Sequence, residues 1–452
     1  MSKIKFLIIA LLFNISVANA DVNLTISKAD IPKTKIVLYG FETNNEAVKS
    51  DVDVILQKIK DNLATTNLFT VFRKEYDKSN LIPYKADGKY NPFSLIDQIP
   101  DFDKYSTLNI GAMLVGDVSV DEQGSLQIKI RLWDILDERQ LFGKFYSAKK
   151  ENYKRMSNII SDEIFKALTG EKSGHFNSQI LYIAESGKSL KRIKRVAIMD
   201  FDGGNKKYLT GGHDLVLTPI FLKKPNEIMF LRYIGNKKPQ IYNLNIQNTA
   251  LKKVGGFLET TFAPSIHPQN SDVILFSMIE DGNSNIYEMN LLNGRVTKLT
   301  NDRSINVTPS YSPDGSKIIF SSDRSGSQKL YIMNADGSRL KQISREEGQY
   351  SKPMWSPDSN LIAFTKIRNG RFGIGVMTPD GRNEKMVISD YLVEGAKWSP
   401  NGRYLIYSKQ QSAYGTKSIP ELYIIDIVTG YERRLPTSPK EGASDPDWAM
   451  KW

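Results

Sequence analysis

Through the second half of the chain, apolar residues come in short alternating runs, and a tight turn introduces each run. Ser312-Pro313-Asp314-Gly315 leads into Ile318-Ile319-Phe320. Proline pre-sets φ and removes a donor, aspartate bonds back to its own turn, and glycine accepts positive φ. Ile318 and Phe320 then share one face of a strand. The unit recurs as Ser356-Pro357-Asp358-Ser359, Ser399-Pro400-Asn401-Gly402, His267-Pro268-Gln269-Asn270 and, more loosely, Lys224-Pro225-Asn226-Glu227. The turn prolines are separated by 43, 45, 44 and 43 residues, a period that marks a repeat architecture.

Three further marks fall in phase. Pro219, Pro264, Pro309, Pro353 and Pro446 each begin a predicted short strand, with Ala396 in the remaining repeat. Two residues on stand Phe221, Ile266, Tyr311, Trp355, Trp398 and Trp448, one wedge per repeat for a shared core. Apolar strands at 196–200, 241–245, 286–290, 330–334, 374–378 and 422–426 precede turns, three of them Asp-Gly hairpin signals. Short strands at 298–300, 342–344, 387–389 and 434–436 end the units. Four strands in roughly 44 residues is the content of one propeller blade. The first repeat, opening at Ile180, lacks an inner strand, and Asp445-Pro446-Asp447-Trp448 lacks outer ones. The expectation is a six-bladed β-propeller over 175–452, closed by its C-terminal strand, rather than an open solenoid or two sandwiches.

Residues 21–170 lack the repeat and read as an α/β domain. An apolar run at 35–41 suits a buried strand; Val52, Ile55, Leu56, Ile59 and Leu63 mark one helix face; 68–72 is the next strand. Residues 74–108 read as a long polar loop or small insertion. Strands follow at 110–118, 126–132 and 141–146, then a helix carrying Tyr153, Met156, Ile160, Ile164 and Leu168 and stopped by Gly170, with 171–177 as linker. Residues 1–20 read as a signal peptide: Lys3 and Lys5, an apolar stretch at 6–13, and Ala18-Asn19-Ala20 as the cleavage site. The mature chain is expected to be exported and soluble. Val22, Leu24 and Ile26 alternate with polar residues ahead of the domain, so 21–27 is either an edge strand of the domain or a strand that adds to a partner's sheet.

Charge and chemistry change this picture little. The formal charge is +11 with no cysteine, and Lys and Arg, spread along the chain, suit a scattered, solvated surface better than a nucleic-acid or lipid patch. His175, His213 and His267 share no ligand spacing, no G-x-S-x-G occurs, Gly187-Lys188-Ser189 lacks the upstream glycine of a phosphate loop, and Asp200-Phe201-Asp202-Gly203 reads as a hairpin. No metal, cofactor or catalytic residue is expected. The working surface of a propeller is a mouth of its channel, where the segments entering the inner strands converge. Those are Leu217-Thr218, Thr260-Thr261, Val307-Thr308, Ser351-Lys352, Glu394-Gly395 and Ser444-Asp445, whose small polar character suits docking.

The repeat Ser-Pro-Asp-Gly-x-x-Ile-x-Phe, the helix 161–170 and the ending at Pro446-Asp447-Trp448 resemble the TolB family of the Tol-Pal cell-envelope system. The resemblance covers essentially the whole mature chain. It implies a periplasmic binding protein, not an enzyme, acting in outer-membrane integrity and cell division. The propeller face would dock the lipoprotein Pal through Thr218, Thr260, Thr261, Val307, Thr308, Ser351, Lys352, Glu394, Ser444 and Asp445. The N-terminus, Asp21, Val22, Asn23, Leu24, Thr25 and Ile26, would bind the inner-membrane protein TolA. An enzyme or glycan-binding module acting on cell-wall material is the alternative.

Overall fold

The computed structural model describes residues 32–451 except 42, 44, 75–80, 84–95, 97, 188–191, 236, 258, 413–418 and 439. The expected signal segment, 21–27 and the Lys188-Ser189 loop therefore lie outside the described residues.

The N-terminal region is a five-stranded sheet. Strand β1 (Thr34–Tyr39) pairs in parallel with β2 (Phe69–Lys74) through helix α1 (Glu46–Ala64), as the apolar spacing predicts. Asn45 caps α1, its side chain accepting the Ala47 N–H at 3.0 Å. Residues 74–108, expected as a long loop or a small insertion, are the latter. They contain β3 (Leu81–Pro83) paired with β4 (Gln98–Pro100), then α2 (Phe102–Thr107). Tyr105 of α2 is buried with Val37, Tyr39, Met113 and Trp133 on the sheet face away from α1. The sheet is completed by β5 (Ala112–Val120), β6 (Leu126–Asp134) and β7 (Arg139–Ala148), in the order β2-β1-β5-β6-β7. Helix α3 (Tyr153–Thr169) covers the other face beside α1 and ends at Gly170, φ 74°.

Beyond it stand six four-stranded sheets, the blades of a propeller. Blades two to six run in order from inner to outer strand. Their inner strands are Leu215–Phe221, Thr260–Ile266, Asn306–Tyr311, Gln349–Trp355 and Leu392–Trp398. Blade one takes its second strand from Ser178–Ser186 and its inner strand from Gly442–Met450, so the C-terminal strand closes the ring as expected. The turns behave as their residues dictate. Ser312 Oγ bonds Asp314 Oδ1 at 2.5 Å and accepts the Lys317 N–H at 2.9 Å, with Gly315 at φ 73°.

The bulky residue near the end of each inner strand packs against the preceding blade. Tyr311 is buried with Leu275 and Ile286 of blade three, Trp355 with Ile319 and Leu330 of blade four, and Trp398 with Ile374 and Val376 of blade five. Phe221 and Ile266 hold the same position but are only partly buried.

The segment 171–177 is a buried joint rather than a free linker. Asp162 of α3 accepts the backbone N–H groups of His175, Phe176 and Asn177 at 2.7, 2.7 and 3.0 Å. Gly174 passes so close that a Cβ there would overlap the Asp162 carboxylate. One apolar cluster runs from Ile59 and Phe165 through Phe176 to Phe201, Tyr404 and Trp448, joining the two regions. Around it Lys58 pairs with Asp202, and Arg403 bridges Glu171 at 3.2 Å and Asp426 at 3.0 Å.

Candidate binding site in the propeller channel

The inner-strand prolines do not begin their strands. Each sits mid-strand, at a break in pairing that recurs in all six blades: between Leu217 and Ile220, Phe262 and Ser265, Val307 and Ser310, Ser351 and Met354, Glu394 and Lys397, and Ser444 and Asp447. An inner strand is the edge of its blade, where a missing N–H breaks no ladder, and bulges are where proline is tolerated. The residue before each proline or Ala396 is left-handed: Thr218, Ala263, Thr308, Lys352 and Asp445 at φ 45° to 54°, and Gly395 at φ 70°. Only one of these six is glycine. Five side chains in the left-handed region cost of order 1–3 kcal/mol each, and the neighbouring blades hold them there.

These six residues and the prolines after them line a cavity of about 180 Å³ on the propeller axis. Its wall is uneven. Blades two to four offer Pro219, Ile220, Phe221, Pro264, Ile266 and Pro309; blades five, six and one offer Lys352, Lys397, Asp445 and Asp447. Lys352 Nζ lies 2.7 Å from Glu394, and Lys397 Nζ 3.8 Å from Asp447. Burial disfavours the Lys352 ammonium, but Asp445 and Glu394 outweigh it and hold its pKa above the ordinary lysine value. Burial pushes the Asp447 carboxyl up, against the Lys397 charge and the N–H groups of Phe221 and Trp448. Two carboxylates reach the adjacent blade two: Asp445 accepts the Thr218 N–H at 3.3 Å, and Asp447 the Phe221 N–H at 2.7 Å.

Of the residues expected at the channel mouth, Thr218, Thr308, Lys352 and Asp445 line this cavity, together with Gly395. Val307, Ser351, Glu394 and Ser444 are the partners just before the bulge. Thr260 and Thr261 are out of phase by two residues, because Phe262 and Ala263 occupy the equivalent positions. Thr261 is instead fully buried. All these residues belong to the strands themselves, not to segments leading into them. Lys397 and Asp447 were missed, although each follows its phase mark by one residue. Asp21 to Ile26 lie outside the described residues. Among the described residues no group of three or more His, Cys, Asp and Glu is placed to hold a metal ion. Asp200-Phe201-Asp202-Gly203 is the expected turn, with Gly203 N–H donating to Asp200 O at 2.9 Å.

Residues 165–452 match the TolB beta propeller domain, and residues 22–141 the TolB amino-terminal domain. The chain belongs to the TolB family. The crystal structure of TolB from Acinetobacter baumannii is similar in fold, with a TM-score of 0.77 at 22% identity, covering 94% of this chain and 98% of that one. Kuenenia stuttgartiensis hydrazine synthase shares the fold more distantly, with a TM-score of 0.50 at 15% identity over 61% of this chain and 48% of that one. TolB membership ties the chain to the Tol-Pal system in general.

Proposed function

We propose that this chain is a periplasmic, non-catalytic adaptor of the Tol-Pal system, maintaining outer-membrane integrity and its invagination at division. Pal docks over the channel, with Thr218, Thr308, Lys352 and Asp445 beneath it, and TolA is bound by residues 21–26. The observation that carries this reading is that both TolB domain models match, in order, along one chain. The cavity supports it: an axial hollow ringed by a left-handed residue from every blade, five of the six not glycine, is a preformed recess for another protein's side chains.

The test is binding of the mature chain to purified Pal and TolA. Lys352→Ala should weaken Pal binding roughly tenfold, the loss of one anchoring contact, while leaving TolA binding intact. Deleting residues 21–27 should abolish TolA binding without moving the melting temperature. A wild-type chain that ignores Pal, or that cleaves or binds cell-wall glycan instead, overturns the reading.

A further inference from the structure

The formal charge is unevenly placed. Residues 215–254, blade two, carry seven Lys and Arg against a single acid, Glu227. Blade three, residues 260–299, carries two cations against four acids. Blade two therefore supplies +6 of the +9 that remains once Lys3 and Lys5 are set aside. Three of its cations are matched: Lys224 to Asp272 at 2.5 Å, Arg232 to Asp214 at 2.6 Å and Lys238 to Glu259 at 2.5 Å. Lys223, Lys237, Lys252 and Lys253 are exposed and form no ion pair with a described residue, and the same holds for Lys206 and Lys207 at the outer strand of blade one. Large apolar side chains stand exposed near them in the chain: Tyr208 at 54% beside Lys207, Leu251 at 43% beside Lys252, and Ile234 at 37% near Lys237.

We propose that this rim, blade two with the outer strand of blade one, docks on an anionic membrane surface through lipid headgroup phosphates. Six of the seven cations of blade two are lysines. Specific protein interfaces favour arginine and deplete lysine, whereas unmatched lysine charges beside exposed aromatic and aliphatic groups are how a soluble protein rests on an anionic bilayer. The outer strand Leu251–Lys253 is exposed along its whole length, with Leu251 and Lys253 on one face and Lys252 on the other, so an apolar side chain and an ammonium group are presented side by side.

The test is sedimentation of the full mature chain with vesicles of phosphatidylglycerol and phosphatidylethanolamine, against vesicles of phosphatidylcholine alone. Binding is expected to the anionic vesicles only, and to be lost as salt shortens the Debye length from about 10 Å to about 3 Å. The combined variant Lys207→Gln, Lys237→Gln, Lys252→Gln, Lys253→Gln should lose at least about tenfold in affinity. A control removing equal charge from blades four and five, Lys317→Gln, Arg339→Gln, Lys341→Gln, Arg371→Gln, should bind within about twofold of wild type. Unchanged melting temperatures exclude misfolding in either variant. Equal losses in the two variants overturn the proposal, since net charge and not this rim would be responsible. No binding to anionic vesicles at low salt overturns it too.

Discussion

His175 shows how much one side chain is constrained by its surroundings. It is buried among Phe165, Phe176, Phe201, Tyr404 and Trp448, where it acts as another aromatic ring. Its Nδ1 has no hydrogen-bond partner. Burial, and then the Arg433 and Arg403 charges, hold its pKa well below 6.5. The unfolded chain, with an ordinary imidazole, takes up a proton near that pH which the folded chain refuses. The neutral ring therefore contributes its full stability above about pH 6.5, and acid below that favours unfolding. Thermal melts on either side of that pH should show the loss, and His175→Phe, which keeps the aromatic packing and removes the titration, should flatten it. A slope unchanged by the substitution would assign the acid sensitivity to other groups.

The inner strand is the decisive element. In five blades it is followed by its own second strand, and in blade one it arrives from the far end of the chain. Trp448 Nε1 donates to Ser178 Oγ at 2.7 Å, and Lys451 N–H to Asn177 O at 2.9 Å, so this strand fastens blade one and the joint together. Deleting residues 442–452 should expose Leu181 and Ile183 and lower the melting temperature by about 10 °C or more, since losing a buried tryptophan alone costs about 3–5 kcal/mol. Differential scanning calorimetry of the truncated chain measures this directly. The strand count and the closure were readable because turn prolines and wedge aromatics each recur at one phase. The bulges were not. A proline mid-strand and a proline starting a strand leave the same mark, and only pairing on both sides tells them apart. Thr260 and Thr261 stand two residues early for another reason: the offset from proline that finds Lys352 and Asp445 falls in blade three on Phe262 and Ala263, which are not polar. Tyr105 was hidden for a different reason: its partners Val37, Met113 and Trp133 are scattered over three strands.

At the scale of the molecule, the propeller and the N-terminal region are held by one carboxylate and a shared apolar cluster. Asp162 satisfies three consecutive N–H groups of the joint, and Gly174 is the only residue type that leaves it room. Gly174→Ala must displace that carboxylate and should cost about 2 kcal/mol or more. Limited proteolysis around 170–178 should then cleave where the wild type resists, and the single melting transition should split in two. A variant as resistant and as cooperative as wild type would show that the apolar cluster and the ion pairs around it fix the two regions without Asp162. The spread of Lys and Arg along the sequence concealed the other molecular-scale feature, since what singles out blade two is the scarcity of acids beside them.

Ribosomal synthesis runs from the first blade toward the last, yet the first blade receives its axial strand only from residues 442–450. Its half-built edge has to wait through the making of five other blades. Until residues 442–450 emerge, no Asp445 or Asp447 reaches across to blade two, and the axial hollow has no sixth wall. A chain cut short anywhere upstream of residue 442 would thus lack a finished recess, so the recess certifies that synthesis has passed the sixth blade.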